Sequence, residues 1–276
     1  MSDPPVRITF ARHPARQGML WLREAARMLS AARVPWMLLL LVYYLVQLVV
    51  SVVPFVGPLA MMLVRPVFAV GFLAAAWTQE RGGSPQISHL FRGFRANLWA
   101  LVPIGAVLIA GTTLAVLASA LVDGGALLDV ITSGAKPDEA LVVNPRLEAG
   151  MIFTVACAIP VLLAVWFAPA LVVFQDCSAR QALAGSLRAA LANWRPVAVY
   201  GLLLFFWGAM LPAMAIALFA YLLPPAAAPY AVALFVVPYV FLFIAAQTIS
   251  DYVAYRDIFH AGKETAAPTV AGNAPD

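Results

Sequence analysis

The sequence predicts an all-α polytopic membrane protein: six transmembrane helices arranged as three hairpins, each preceded by a cytoplasmic interfacial amphipathic helix. Three observations carry this. Hydrophobic residues make up 63% of the chain and charged residues 11%, far outside the range of soluble domains. Six apolar runs, at 35–55, 58–78, 98–122, 150–174, 196–223 and 230–250, can each cross a hydrocarbon core of about 30 Å, which takes roughly 20 helical residues. The basic residues, finally, gather at the ends of these runs on one side. The net charge of +4 therefore points to membrane orientation and anionic lipid, and no nucleic-acid partner is expected.

In chain order, residues 1–15 hold Pro and Arg without helical periodicity and are expected to form a mobile tail. Six arginines precede Val34, a charged stretch too long for a cleaved signal peptide, so the first span is expected to be an uncleaved anchor. From Arg16 to Arg33 one face carries Trp21, Leu22, Ala25, Ala26, Leu29 and Ala32, and the other carries Arg16, Arg23 and Arg27. That division predicts an amphipathic helix lying in the interface.

The spans follow within a membrane domain of residues 16–260. A tight PFVGP turn joins the first pair and PPAAAP the last, both hairpin connections, while residues 123–149 form a longer loop in the middle pair. Fourteen Lys and Arg residues fall in the N-terminal segment, the 79–97 and 175–195 connections and the C-terminal segment, against Lys136 and Arg146 on the other side. By the positive-inside rule both termini are cytoplasmic. The 123–149 loop, with five acidic and two basic residues, then faces the periplasm or the outside. Residues 261–276 are expected to be a disordered tail.

The two inner connections share a pattern. In the first, Ile87, Leu90, Phe91, Phe94 and Leu98 form an apolar stripe, with Ser84 as N-cap and Pro85 at the first helical position. In the second, Leu183, Leu187, Leu191 and Trp194 do the same, and Ser178 with Gln181 has the form of a capping box. An offset of 96 residues aligns Arg92 with Arg188, Ala96 with Ala192 and Asn97 with Asn193. With the helix before the first span, an amphipathic helix precedes each hairpin. The arginines Arg92, Arg95, Arg180 and Arg188, together with Trp194, read as anchors on the anionic cytoplasmic leaflet.

Chemistry-bearing features are few. Arg65 is the only charge inside a predicted span, placed just outward of the midplane, and Gln47 of the first span falls at a similar depth. An arginine near the bilayer centre costs about 2.5–3.5 kcal/mol and calls for a partner. It is either an anion or lipid-headgroup contact, or an arginine capped by Gln47 and by backbone oxygens freed by Pro66. Pro66, Pro103, Pro160, Pro169, Pro212 and Pro238 lie inside spans, which is ordinary for membrane helices. Gly111, Ala115 and Ser119, four apart, predict close helix packing. His13, His89 and His260 are isolated, with His89 expected to be solvated. Asp251 and Asp257 with Arg256 suggest a cytoplasmic ion cluster. Cys157 and Cys177 lie too far apart along the helix to pair. No metal-ligand spacing, phosphate-binding glycine loop or nucleophile motif occurs, so neither a cofactor nor catalysis is expected.

At Pro35-Trp36, Pro54 with Gly57, Phe167 to Pro169, the Ser186 to Trp194 helix and Tyr255 to Phe259, the chain resembles the BPSS-type family of proteobacterial inner-membrane proteins. More distantly it is similar to the integral membrane domain found beside some glycerophosphodiester phosphodiesterases, whose catalytic domain is not present here. The resemblance implies a Gram-negative inner membrane and no established activity. The function expected is a non-enzymatic scaffold, accessory or envelope-maintenance protein with lipids and other membrane proteins as partners. The alternative is a small transporter or lipid-handling protein with a polar site near Arg65.

Overall fold

The computed structural model describes residues 8–133 and 144–260. Its helices are α1 Gln17–Ala31, α2 Arg33–Ser51, α3 Val56–Glu80, α4 Leu98–Asp123, α5 Ala126–Ser133, α6 Pro145–Trp166, α7 Ala168–Gln175, α8 Ala179–Ala192, α9 Trp194–Leu222 and α10 Ala228–His260, with a 3-10 helix at Ile87–Arg95. Six of these are long and apolar enough to cross a membrane: α2, α3, α4, the run α6–α7, α9 and α10. A long apolar helix stands over each of the six expected runs. α10 continues ten residues past the expected end at 250, to His260, and α5 occupies part of the expected 123–149 loop. The tail at 261–276 and residues 1–7 lie outside the described residues.

Helix ends and kinks have local causes. The Asn97 side chain accepts the Ala100 N–H at 3.2 Å at the start of α4, and left-handed Gly124 (φ 68°) ends it. Asn144 caps α6, with Pro145 at the first position. The break between α6 and α7 comes from Ser186, whose hydroxyl donates to the Leu163 carbonyl at 2.6 Å and accepts from the Phe167 N–H at 3.0 Å. Those two groups would otherwise bond each other, so the serine is inserted into the helical ladder. In α9 and α10, π turns at Phe206–Met210 and Val232–Val236 lie just ahead of Pro212 and Pro238. Wider turns here absorb the missing proline N–H, and the Trp207 carbonyl accepts the Tyr239 hydroxyl at 2.7 Å.

The chain divides into two compact units, one of residues 38–75 and 86–190, the other of residues 1–37, 76–85 and 191–276. In the first, α4 packs along α6 through the small residues expected to do so. A Cβ on Gly111 would strike Val161 at 2.6 Å, and Ala115 and Ser119 are buried. The 3-10 segment lies on α3, with Leu90 buried and Gly93 against the Val67 carbonyl.

That segment corrects two expectations, the Ser84 cap and a solvated His89. It begins at Ile87 and not after a Ser84 cap; the Gln86 N–H donates to His89 Nδ1 at 2.9 Å. His89 is buried, because a 3-10 turn brings it and Leu90 to the packed side. Ile87, Phe91 and Phe94 of the expected stripe are exposed. α8 departs similarly. Its reciprocal Ser178–Gln181 cap is present, yet its packed face is Ala182, Gly185, Ser186, Ala189 and Ala190, while Leu191 and Trp194 are exposed. Small residues win the packed side because they let backbones approach. The offset of 96 recurs in three dimensions, since Gly71 meets Leu90 as Phe167 meets Ser186.

In the second unit α1 packs on α10 and on the start of α9. Trp21 is fully buried, edge-on to Tyr200 at 5.8 Å, and Gly18 sits against the Pro196 carbonyl. The apolar stripe of α1 is thus covered by protein at Trp21, Ala25 and Leu29, while Ala26 is exposed. Residues 8–15, expected to be mobile, are held. The Ala11 N–H donates to the Ile258 carbonyl at 2.7 Å, and buried Asn193 accepts from the His13 N–H at 2.8 Å and donates to the Ala11 carbonyl at 2.9 Å. A buried amide that both accepts from and donates to one backbone stretch pins that stretch.

Candidate functional site

Polar side chains of the second unit converge on the end of α10. Helical spacing puts Tyr252 and Arg256 one turn apart, and puts Gln17, Trp21 and Glu24 along one side of α1. Arg256 Nη1 and Nη2 donate to the two Glu24 carboxylate oxygens at 3.0 and 3.2 Å, a bidentate pair. Nε and Nη2 reach Asp257 Oδ1 at 3.1 and 2.8 Å, and Nη1 also bonds Glu80, the last residue of α3. The Tyr252 hydroxyl donates to the other Glu80 oxygen. Asp257 Oδ2 accepts from Gln17 Nε2 at 2.7 Å and Trp21 Nε1 at 3.2 Å. One guanidinium therefore ties α1, α3 and α10 together.

Two further links frame it. Trp36 Nε1 donates to Gln79 Oε1 at 2.7 Å, and Gln79 Nε2 donates to the Met28 carbonyl at 2.6 Å. Tyr200 bonds Ser250 at 2.6 Å and donates to Asp251 Oδ1 at 3.1 Å. The expected cluster of Asp251 and Asp257 with Arg256 is thus present for Asp257, whereas Asp251 bonds Tyr200. Glu24, Glu80, Gln17, Trp21 and Tyr252 were not foreseen. The one available signal was that Glu24 and Glu80 are isolated acids among arginines.

This arrangement holds elements of the second unit together. Arginine does not exchange its proton near neutrality, and each carboxylate of the cluster is engaged by a donor.

The other foreseen residues lie elsewhere. Arg65 is exposed on α3 and close enough to Tyr43 and Tyr44 to act on them electrostatically. Gln47 is half-buried on α2, and among the described residues no hydrogen bond joins it to Arg65. Arg92, Arg95, Arg180, Arg188 and Trp194 are all exposed. The Arg195 guanidinium lies over the Trp194 ring at 5.5 Å. Burial, and then the neighbouring Arg92, hold the His89 pKa below its ordinary value against the opposing Gln86 contact. Burial and then Asp176 push the Cys177 thiol up, which keeps it protonated and unreactive.

The chain is similar over nearly its whole length to a Burkholderia thailandensis protein named "Probable inner membrane protein BTH_II0599". They share 29% identity over 262 residues, covering 92% of this chain and 94% of that one. No family profile matches the chain, and no solved structure does. With the six apolar helices, the similarity supports a multi-pass protein of a bacterial inner membrane. A link to glycerophosphodiester phosphodiesterases finds no support in these comparisons.

Proposed function

We propose that the protein is a non-enzymatic inner-membrane scaffold or accessory protein, with both termini in the cytoplasm and its basic belt on the anionic leaflet. The observation that carries this reading is the Arg256 cluster. The densest group of charges among the described residues is consumed in holding α1, α3 and α10 together. A catalytic or transport site needs charged or polar groups open to a substrate, and those of this cluster are engaged with one another. The asymmetry of fourteen basic residues against two supports the orientation.

The test is extraction of the whole protein with its surrounding lipid by a membrane-dissolving copolymer, followed by identification of proteins and lipids in stoichiometric amount. A scaffold retains one or more defined membrane proteins together with anionic lipid. A lone chain that moves a solute across reconstituted vesicles would overturn the reading. Labelling of single introduced cysteines at position 10 and at Leu222 checks orientation. The first is expected to be shielded from an impermeant reagent in intact cells and the second reached by it.

A further inference from the structure

Arg65 lies deep within α3 and is exposed. It stands nine positions from Val56 and fifteen from Glu80, about 13.5 and 22 Å of helical rise, so its side chain reaches neither end of the helix by extending. Two sides of α3 are taken at this depth. A Cβ on Gly105 of α4 would strike the Leu63 carbonyl at 2.0 Å, and one on Gly57 would strike the Val50 carbonyl of α2 at 2.0 Å. The rings of Tyr43 and Phe68 meet edge-on with centroids 5.2 Å apart. A third side carries Pro58, Met62, Arg65 and Ala69, spaced four, three and four apart and so in one row along the helix. Pro58 and Arg65 are exposed, and Met62 and Ala69 are half-buried. Inward of Ala69 the row closes, with Phe72, Leu73 and Ala76 buried. The row is thus open over the outer half of α3, with Arg65 near its inner limit.

The described part of the chain holds no counter-ion for this charge. Arg65 makes no hydrogen bond or ion pair with a described residue. The acids of the six long apolar helices are Glu80, Asp123, Glu148, Asp251 and Asp257. Each lies in a terminal turn or past residue 250 of α10, so among the described residues neither this chain nor a second copy of it places a carboxylate at the depth of Arg65. A guanidinium left bare in hydrocarbon is costly, and charged groups within spans pair with opposite charge. We propose that the Pro58–Ala69 row of α3 is the docking surface for a transmembrane helix of a different membrane protein, one that carries an aspartate or glutamate at mid-depth to pair with Arg65. Charge complementarity selects this occupant. A carboxylate accepts two parallel N–H donors of the guanidinium, which an acyl chain cannot do and which a phospholipid phosphate could do only by leaving the headgroup layer. Met62 and Ala69, one turn to either side of Arg65, suit close approach, since the thioether adapts its shape and the small residue lets backbones near. The inference rests on the accessory-protein reading and deepens it by naming the chemistry of the partner and the face that receives it.

The test uses the full chain in phosphatidylcholine vesicles and, as probe, a single-span Leu-Ala peptide with one Asp at its centre, its association read by energy transfer. The Asp peptide is expected to bind wild type about tenfold more tightly than the same peptide with Leu at that position, equivalent to about 1.4 kcal/mol. Arg65→Leu is expected to abolish the difference, Arg65→Lys to keep most of it, and Arg65→Glu to prefer a Lys-centred peptide instead. A peptide with its Asp moved to one end should bind no better than the Leu peptide. Equal binding of the Asp and Leu peptides by wild type, or an unchanged preference in Arg65→Leu, overturns the site. Loss of the preference on adding phosphatidylglycerol assigns Arg65 to lipid phosphate and overturns the partner helix. In the native membrane, a photo-reactive residue at position 62 is expected to cross-link to a protein with an acid inside a span; a captured protein without one, or cross-links to lipid alone, overturns the proposal. The scaffold reading is judged separately, since it stands if copolymer extraction still yields defined partners and falls if it yields a lone chain.

Discussion

Replacing Arg256 with methionine tests the central claim about the second unit, that one cation fastens three helices. The substitution keeps most of the side-chain volume and removes the charge. Glu24 then loses its bidentate partner, Glu80 retains only Tyr252, and Asp257 retains Gln17 and Trp21. The side chains are 25% exposed for Arg256, 28% for Glu24, 33% for Glu80 and 15% for Asp257. Exposed pairs contribute about 0–1 kcal/mol, whereas removing one partner of a buried pair costs about 3–5 kcal/mol. A cluster that is roughly three-quarters buried falls between these limits, at about 2–3 kcal/mol. At about 2–4 °C per kcal/mol for a chain of this class, thermal unfolding in detergent should shift down by roughly 5–10 °C. Combining Arg256→Met with Glu80→Gln should cost less than the sum of the two, with a coupling of about 1–2 kcal/mol. An Arg256→Met protein that melts with the wild type, or a strictly additive double variant, would refute the fastening role. Arg95→Ala, at an exposed arginine without a described ion pair, serves as the control and should move stability by less than about 0.5 kcal/mol.

Three further outcomes are expected. His89 is held neutral by burial and then by the neighbouring Arg92, so its pKa lies below the unfolded value of about 6.5. Its contribution is complete above about pH 6.5 and is lost as pH falls toward the folded pKa, because the unfolded chain binds the proton first; melts at stepped pH should show this decline and His89→Gln should flatten it. Asn193→Ala removes both bonds to residues 11 and 13 and should cost about 1–3 kcal/mol, with amide exchange at Ala11 and His13 rising more than at Ala25. Gly111→Leu forces a side chain into Val161 and should cost about 1–3 kcal/mol by overpacking, partly relieved by adding Val161→Ala and read by thermal unfolding.

Periodicity and turn chemistry made much of this molecule legible in advance. Six apolar runs became six long helices, the Ser178–Gln181 cap formed, and Gly111, Ala115 and Ser119 met a neighbouring helix as their spacing implied. The departures share a cause. An apolar stripe shows that a face avoids water but does not distinguish lipid from protein as its cover. Trp21 and Ala25 turned out to face protein, Phe91 and Leu191 to be exposed, and on α8 the small residues took the packed side. His89 was misjudged because its burial depends on a 3-10 turn that an α-helical wheel does not represent.

The candidate cluster was readable only at Arg256 and Asp257, which are adjacent in sequence. Glu24 and Glu80 lie 232 and 176 residues from their partner, and separations of that size carry no local signal. Composition, span length and charge asymmetry by themselves determined that this chain is helical and membrane-bound, and they predicted its orientation, because those properties follow from the transfer of single segments between water and lipid. Which polar groups meet, which faces pack and where residues 8–15 are held were decided only by tertiary structure. They depend on backbone approach at Gly18, Gly71 and Gly93 and on side chains brought together from distant helices.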